Sequence, residues 1–116
     1  MRHRKTTKTL GRPSAHRHAM LSSLAQSVIL YEHVTTTKAK AKIVRPLIEQ
    51  AIHASKSGSL AARRRLLALF PSELAVKKTM EVVGPRYQDR KGGYVRLVPI
   101  GSRKGDGADM VQIELV

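Results

Sequence analysis

The chain contains no cysteine, which excludes disulfides and thiolate metal sites and suits a reducing compartment. No apolar run approaches the roughly 18 residues of a membrane span. No apolar h-region follows the opening MRHRK, so the start is not expected to be a secretory signal. A mitochondrial transit peptide would share the basic, acid-free character of residues 1–31, but Gly11 and Pro13 break the amphipathic helix it needs. Carboxylates are scarce. The eight of them, Glu32, Glu49, Glu73, Glu81, Asp89, Asp106, Asp109 and Glu114, are scattered along the chain. There is no Ser–His–acid pattern, no phosphate-cradling P-loop and no HExxH, so no motif nominates a catalytic, cofactor or small-molecule substrate site. Of the histidines, His3, His16, His18, His33 and His53, two are close in sequence and neither has an acid beside it, so no metal site is expected.

What is present is positive charge. Lysine and arginine number 22 against 8 acids, a formal charge of +14. Such a charge repels itself and calls for a polyanion outside the chain: a nucleic acid, an anionic membrane or an acidic protein. The first 31 residues hold Arg2, Arg4, Lys5, Lys8, Arg12 and Arg17 and no acid. The first dozen also lack helical or strand periodicity. An extended arm over 1–13 is expected, leading into one domain over 14–116. A nucleic acid is the fitting partner, because each cation near a phosphate releases a condensed counterion.

A chain of this size buries roughly 65% of its unfolded surface, enough for one modest core. Ser14 is placed to cap a helix over about 15–30, with Leu21, Leu24, Ala25 and Val28 on one face and Met20 and Ile29 beside it. HVTTT, 33–37, reads as a short edge strand. Thr36 or Thr37 caps a second helix that stops at Gly58, with Ile43, Val44, Leu47, Ile48, Ala51 and Ile52 inward. Pro46 should kink or split it. Ser59 caps a third helix, with Leu60, Leu66, Leu67 and Phe70 on its buried side, and at least one of Arg63, Arg64 and Arg65 should pack or pair locally. Pro71 ends it. Ser72 opens a fourth helix with Val76, Met80 and Val83 inward, stopped by Gly84-Pro85. The period then changes to two. Val95 and Leu97 oppose Arg96, and Val111, Ile113 and Leu115 oppose Gln112 and Glu114. These two strands make a C-terminal hairpin whose tip, GSRKGDGAD, reads as long and mobile. The fold class is α+β: about four helices on one face of a small mixed or antiparallel sheet, with 33–37 as a third strand.

Two further stretches carry binding chemistry. In GPRYQDRKGGYVR, residues 84–96, Arg86, Arg90, Lys91 and Arg96 bracket Tyr87 and Tyr94. Interleaved cations and rings suit RNA, where rings stack on unpaired bases, although tyrosines packed on a core would look the same. At the hairpin tip Arg103 and Lys104 could reach a groove or belong to an ordinary turn. The first helix has some amphipathic pattern, but Ser22, Ser23, Gln26 and Ser27 make its middle polar rather than cationic, against a membrane-surface role.

These residues resemble the bacterial large-subunit ribosomal protein seventeen family. MRHRK resembles its start. Leu10, Arg12, Ser14, His16 and Arg17 follow in its order, and Thr36-Thr37, Lys40-Ala41-Lys42 and Arg45-Pro46 resemble its central segment. Gly84-Pro85-Arg86-Tyr87, Gly92-Gly93-Tyr94, Gly105-Asp106-Gly107 and Ile113-Glu114-Leu115-Val116 resemble its C-terminal signature. The chain departs at Gly11, where the family often has Asn, at Ala15, where a second Ser is common, and at Ile43, where an acid usually follows. The resemblance implies a cytoplasmic, non-catalytic ribosomal component. It would be bound to 23S-type rRNA near the exit tunnel and beside other large-subunit proteins. The candidate RNA contacts are Arg2, His3, Arg4, Lys5, Lys8, Arg12, Ser14, His16, Arg17 and His18 in the arm and first turn. They continue with Lys38, Lys40 and Lys42, with Arg63 and Arg64, with Arg86, Tyr87, Arg90, Lys91, Tyr94 and Arg96, and with Arg103 and Lys104. A DNA-coating architectural protein is the alternative that charge alone allows.

Overall fold

A computed structural model describes His3 and residues 9–116. The arm expected over 1–13 therefore lies mostly outside the described residues, Arg2, Arg4, Lys5 and Lys8 included. The described part has four helices and a three-stranded antiparallel sheet: α1 (Ser14–Tyr31), β1 (His33–Thr37), α2 (Lys38–Ser55), α3 (Leu60–Leu69), α4 (Glu73–Lys78), β2 (Val95–Ser102) and β3 (Asp109–Leu115). The strand order is β1-β3-β2. β1 is thus an edge strand, as its brevity suggested, and it pairs with β3 from His33↔Glu114 to Thr37↔Met110.

The helix α2 is the spine. It packs on α1, α3 and all three strands. Val44, Ile48 and Ile52 on its inner stripe are fully enclosed, together with Ala25, Val28 and Ile29 of α1 and Ile113 of β3. Burying such a side chain contributes roughly 1.5–3 kcal/mol. Ile43 and Leu47 are half-buried at the margin of this stripe. The helix runs through Pro46 without a break, so the expected split does not occur. The missing N–H of Pro46 deprives the carbonyl of Lys42 of its helical donor, a loss that is tolerable because both residues face solvent.

Several local expectations change. Ser14 is the first helical residue rather than the cap. Pro13 holds the cap position, and its carbonyl accepts the Arg17 N–H at 2.9 Å. Leu10, at φ +53, turns the chain back and lies half-buried against the core. Thr37 occupies the cap of α2, but its hydroxyl makes no capping bond. Ser59 and Ser72 do cap, accepting the N–H groups of Ala62 at 3.1 Å and Leu74 at 3.2 Å. On α3 the inward side is Ala62, Leu66 and Phe70, while Leu60 and Leu67 face out at 63% and 42% exposure. The stripe is rotated because the helix must offer Leu66 and Phe70 to α2 and α4. Of the three arginines, Arg63 is half-buried, and Arg64 and Arg65 are exposed.

Gly84-Pro85 does not stop the fourth helix. The helix widens into a π-helical segment, Thr79–Val83, and ends in a last turn, Gly84–Arg86. The Gly84 N–H reaches back to the Thr79 carbonyl, and the wide turn accommodates Pro85, which has no N–H to give. Glycine is required there for proximity rather than for a stop. A Cβ at position 84 would stand 2.9 Å from Ser55 Oγ, 3.1 Å from the Ser55 carbonyl oxygen and 3.2 Å from that of Thr79. In β2 the register slips between Pro99 and Gly101, making a bulge at Ile100 on an edge that tolerates proline. The hairpin tip is shorter than expected, residues 103–108. It is tied by the Arg103 N–H to Ala108 carbonyl at 2.8 Å and the Gly107 N–H to Arg103 carbonyl at 3.0 Å.

Gly84→Ala should destabilise the protein. Overpacking against fixed carbonyls costs about 1–3 kcal/mol, more than the up to ~1 kcal/mol alanine gains in a helix. A lowered urea midpoint with unchanged m-value checks this, and an unchanged or raised midpoint refutes the close-approach account.

Candidate nucleic-acid interface

Glu32, Glu49, Asp106 and Glu114 are used structurally, and that sorts the cations. Glu32 ends α1 in the left-handed region at φ +65. Its carboxylate accepts both arms of the Arg86 guanidinium, and Lys78 Nζ at 3.2 Å. Lys78 Nζ also donates to the Leu30 carbonyl at 3.0 Å, at the negative end of the α1 dipole. Arg96 Nε donates to Glu114 across the sheet at 2.5 Å. Arg103 pairs with Asp106, and the two hold the tip. The guanidinium, helped by the Ala108 N–H, keeps that carboxyl well below the usual range. Arg45 pairs with Glu49 one turn on at 3.4 Å. Thus Arg86, Arg96 and Arg103, all singled out from sequence as RNA contacts, have internal partners.

The tyrosines are a correction. Tyr87 and Tyr94 are buried, 5% and 2% exposed, and pack on each other at 5.3 Å between centroids. Tyr87 Oη donates to the Val116 carbonyl at 2.5 Å, and Tyr94 Oη donates to the Arg90 carbonyl at 3.1 Å. Lys56, which sequence reasoning passed over, donates to that same carbonyl and to Tyr94 Oη at 3.1 Å, with its ammonium 5.4 Å from the ring centre. These rings are core, and their faces are closed to bases. Arg90 turns its Nε onto the Gly92 carbonyl at 3.1 Å.

Two regions gather several of the remaining described cations. In the first turn of α1, His16, His18 and Ser14 are exposed. Arg12 and Arg17 beside them are half-buried, their guanidinium groups donating to the carbonyls of Leu10 and Arg12 at 2.9 and 3.4 Å. The second region is a furrow along the outer side of α2. One opening, about 440 Å³, lies among Thr37, Lys38, Lys42 and Asp109. The next, about 300 Å³, shares Lys42 and adds Arg45, Pro46, Glu49 and Leu97. A third, about 390 Å³, shares Pro46 and Glu49 and ends among His53, Arg65, Lys91 and Tyr94. The structure thus brings Lys38, Lys42 and Lys91 onto one surface. Lys40, half-buried, and the arginines Arg63 and Arg64 of α3 stand apart from those lining residues, as does Lys104 at the tip. Arg45, His53 and Arg65 were missed. The signal was available, since 38, 42, 45, 49 and 53 recur at three and four residues, one face of a helix.

Arg86, and less strongly Lys78, pull the Glu32 carboxyl from its ordinary 4.5 to about 2, against an opposing effect of burial. The same contact raises the Arg86 guanidinium. The folded value lies below the unfolded one, so this contribution is fully present above about pH 4.5 and is lost as pH falls toward 2. The carboxylate is partly open to water, and screening limits the contribution to about 1 kcal/mol. Glu32→Gln should lower stability near neutrality and flatten the acid limb between those values. Urea midpoints taken across that pH range check it, and a variant as acid-sensitive as the parent refutes it.

A family model described as Ribosomal protein L17 matches residues 20–116. The large ribosomal subunit protein bL17 of Thermoanaerobacter sp. (strain X514) is 49% identical over 107 residues, 92% of this chain and 96% of the relative. The proteins of that name from Syntrophotalea carbinolica and Orientia tsutsugamushi (strain Ikeda) are 43% and 45% identical over 116 residues. They match 100% of this chain and 75% and 80% of their own lengths.

Proposed function

Because the chain belongs to the ribosomal protein L17 family, a structural and non-enzymatic component of the large ribosomal subunit, we propose that it fastens to large-subunit rRNA through its basic N-terminal segment and basic surface. In this reading it sits in cytoplasmic ribosomes, on the exit-tunnel side and among neighbouring large-subunit proteins. The observation that carries the reading is the charge imbalance: 22 lysines and arginines against 8 acids. Among the described residues the ion pairs engage Arg45, Lys78, Arg86, Arg96 and Arg103. Most of the described cations outside those pairs are exposed. Folded RNA supplies phosphates at a density that absorbs the surplus, with release of counterions.

The contacts assigned to this role are Arg2, His3, Arg4, Lys5 and Lys8, then Arg12, Ser14, His16, Arg17 and His18, where α1 begins. Free N–H groups at that helix start favour a phosphate, and the basic side chains around them add to that preference. Lys38, Lys40, Lys42, Arg63, Arg64, Lys91 and Lys104 extend the surface. Tyr87 and Tyr94 are withdrawn from it, and Arg86, Arg96 and Arg103 act first as internal ties.

Deleting residues 1–8 removes four cations, Arg2, Arg4, Lys5 and Lys8, and spares Leu10 and Pro13, which belong to the fold. The log–log salt slope for binding a large-subunit rRNA transcript should fall by about 3, at 0.7–0.9 per phosphate neutralised, with unfolding unchanged. An unaltered slope refutes the role of that segment. Duplex DNA competing as well as the transcript favours the architectural alternative.

A further inference from the structure

The furrow beside α2 is a continuous feature with a length, a charge and a chemistry. From Lys38 to His53 the helix rises roughly 22 Å, the axial length of about six nucleotides of one strand at 3.4 Å each. Cations enter it from three elements: Lys38, Lys42 and Arg45 from α2, Arg65 from α3, and Lys91 from the loop before β2. Two carboxylates oppose them. Glu49 is already paired with Arg45, by an exposed one-turn contact worth at most about 0.5 kcal/mol. Asp109 lies at the far end. Between the cations the lining is apolar, with Pro46 and Leu97 at mid-length. In the same stretch the Lys42 carbonyl lacks the donor that residue 46 would supply were it not proline.

We infer that this furrow seats the sugar–phosphate backbone of a single RNA strand, with Lys42 meeting phosphate at one end and Arg65 and Lys91 at the other. The seat rests on the rRNA-binding reading and deepens it. The cations lie towards both ends of the furrow, Lys38 and Lys42 at one and Arg65 and Lys91 at the other, which fits contacts to several phosphates of one strand. The apolar floor accepts the faces of riboses.

The test uses the full chain and a fluorescent large-subunit rRNA transcript in a salt series. The triple variant Lys42→Gln, Arg65→Gln, Lys91→Gln changes exposed side chains, so it should stay folded and lose about 2–3 from the log–log slope. Lys77→Gln, on exposed α4 surface away from the furrow, should leave the slope within error. An unreduced slope in the triple variant, with parental binding intact, overturns this seat and spares the broader reading. A parent chain that does not bind the transcript overturns that broader reading itself. Poly-glutamate displacing the transcript as well as RNA of equal charge would make the furrow an acidic-polymer site and overturn the seat.

Discussion

The arrangement depends on the carboxylate of Glu32. It terminates α1 in a left-handed conformation, turns the chain into β1, and grips the fourth helix at two points, Lys78 and Arg86. Its carbonyl accepts the Leu115 N–H at 3.0 Å, joining the same residue to the central strand. Four elements are thus indexed to one side chain and its backbone. In a chain this basic, the constraint is electrostatic as well as geometric. Lys78 and Arg86 without Glu32 would be two neighbouring cations with no carboxylate between them, and their repulsion would weaken the junction that they now close.

The same economy governs three other acids. Glu114 steadies Arg96 across the sheet, Asp106 gathers Arg103 into the tip, and Glu49 holds Arg45 along α2. Each takes a cation that would otherwise add to the external field. The described cations left over include exposed ones along the furrow of α2, on α3 and α4 and at the hairpin tip, with Arg12 and Arg17 half-buried at the start of α1. Individually these exposed pairs contribute little, on the order of 0.2–1 kcal/mol. The core of α1, α2 and β3 carries the stability, and the pairs decide which positive charges remain available.

Most of the fold was legible in the sequence, because its elements are bounded by strong local signals. Ser59 and Ser72 cap as their positions suggested, Pro71 follows the end of α3, and the period-two run from Val111 to Leu115 is the central strand. The failures occur where tertiary contact overrode a local rule. Pro46 and Gly84-Pro85 read as breaks, yet both are carried inside helical segments: one faces solvent, and the other is needed for close packing on Ser55. The inward face of α3 was misread because Leu60 and Leu67 satisfy the same period as Leu66 and Phe70, and a ten-residue helix leaves the phase undetermined. At the interface, abundance of positive charge was visible but its allocation was not. Nothing local reveals that Arg86 answers Glu32 from 54 positions away, or that Tyr87 and Tyr94 are interior.

The position of β3 has a consequence for how the molecule is made. It lies between β1 and β2 in space but follows both in the chain. During synthesis the earlier strands emerge with no neighbour to pair with, and His33 must wait for Glu114. The sheet therefore closes late, in one step that joins distant parts of the polypeptide. Until then two unpaired strand edges stay open on a highly charged nascent chain, whose self-repulsion keeps copies from aggregating.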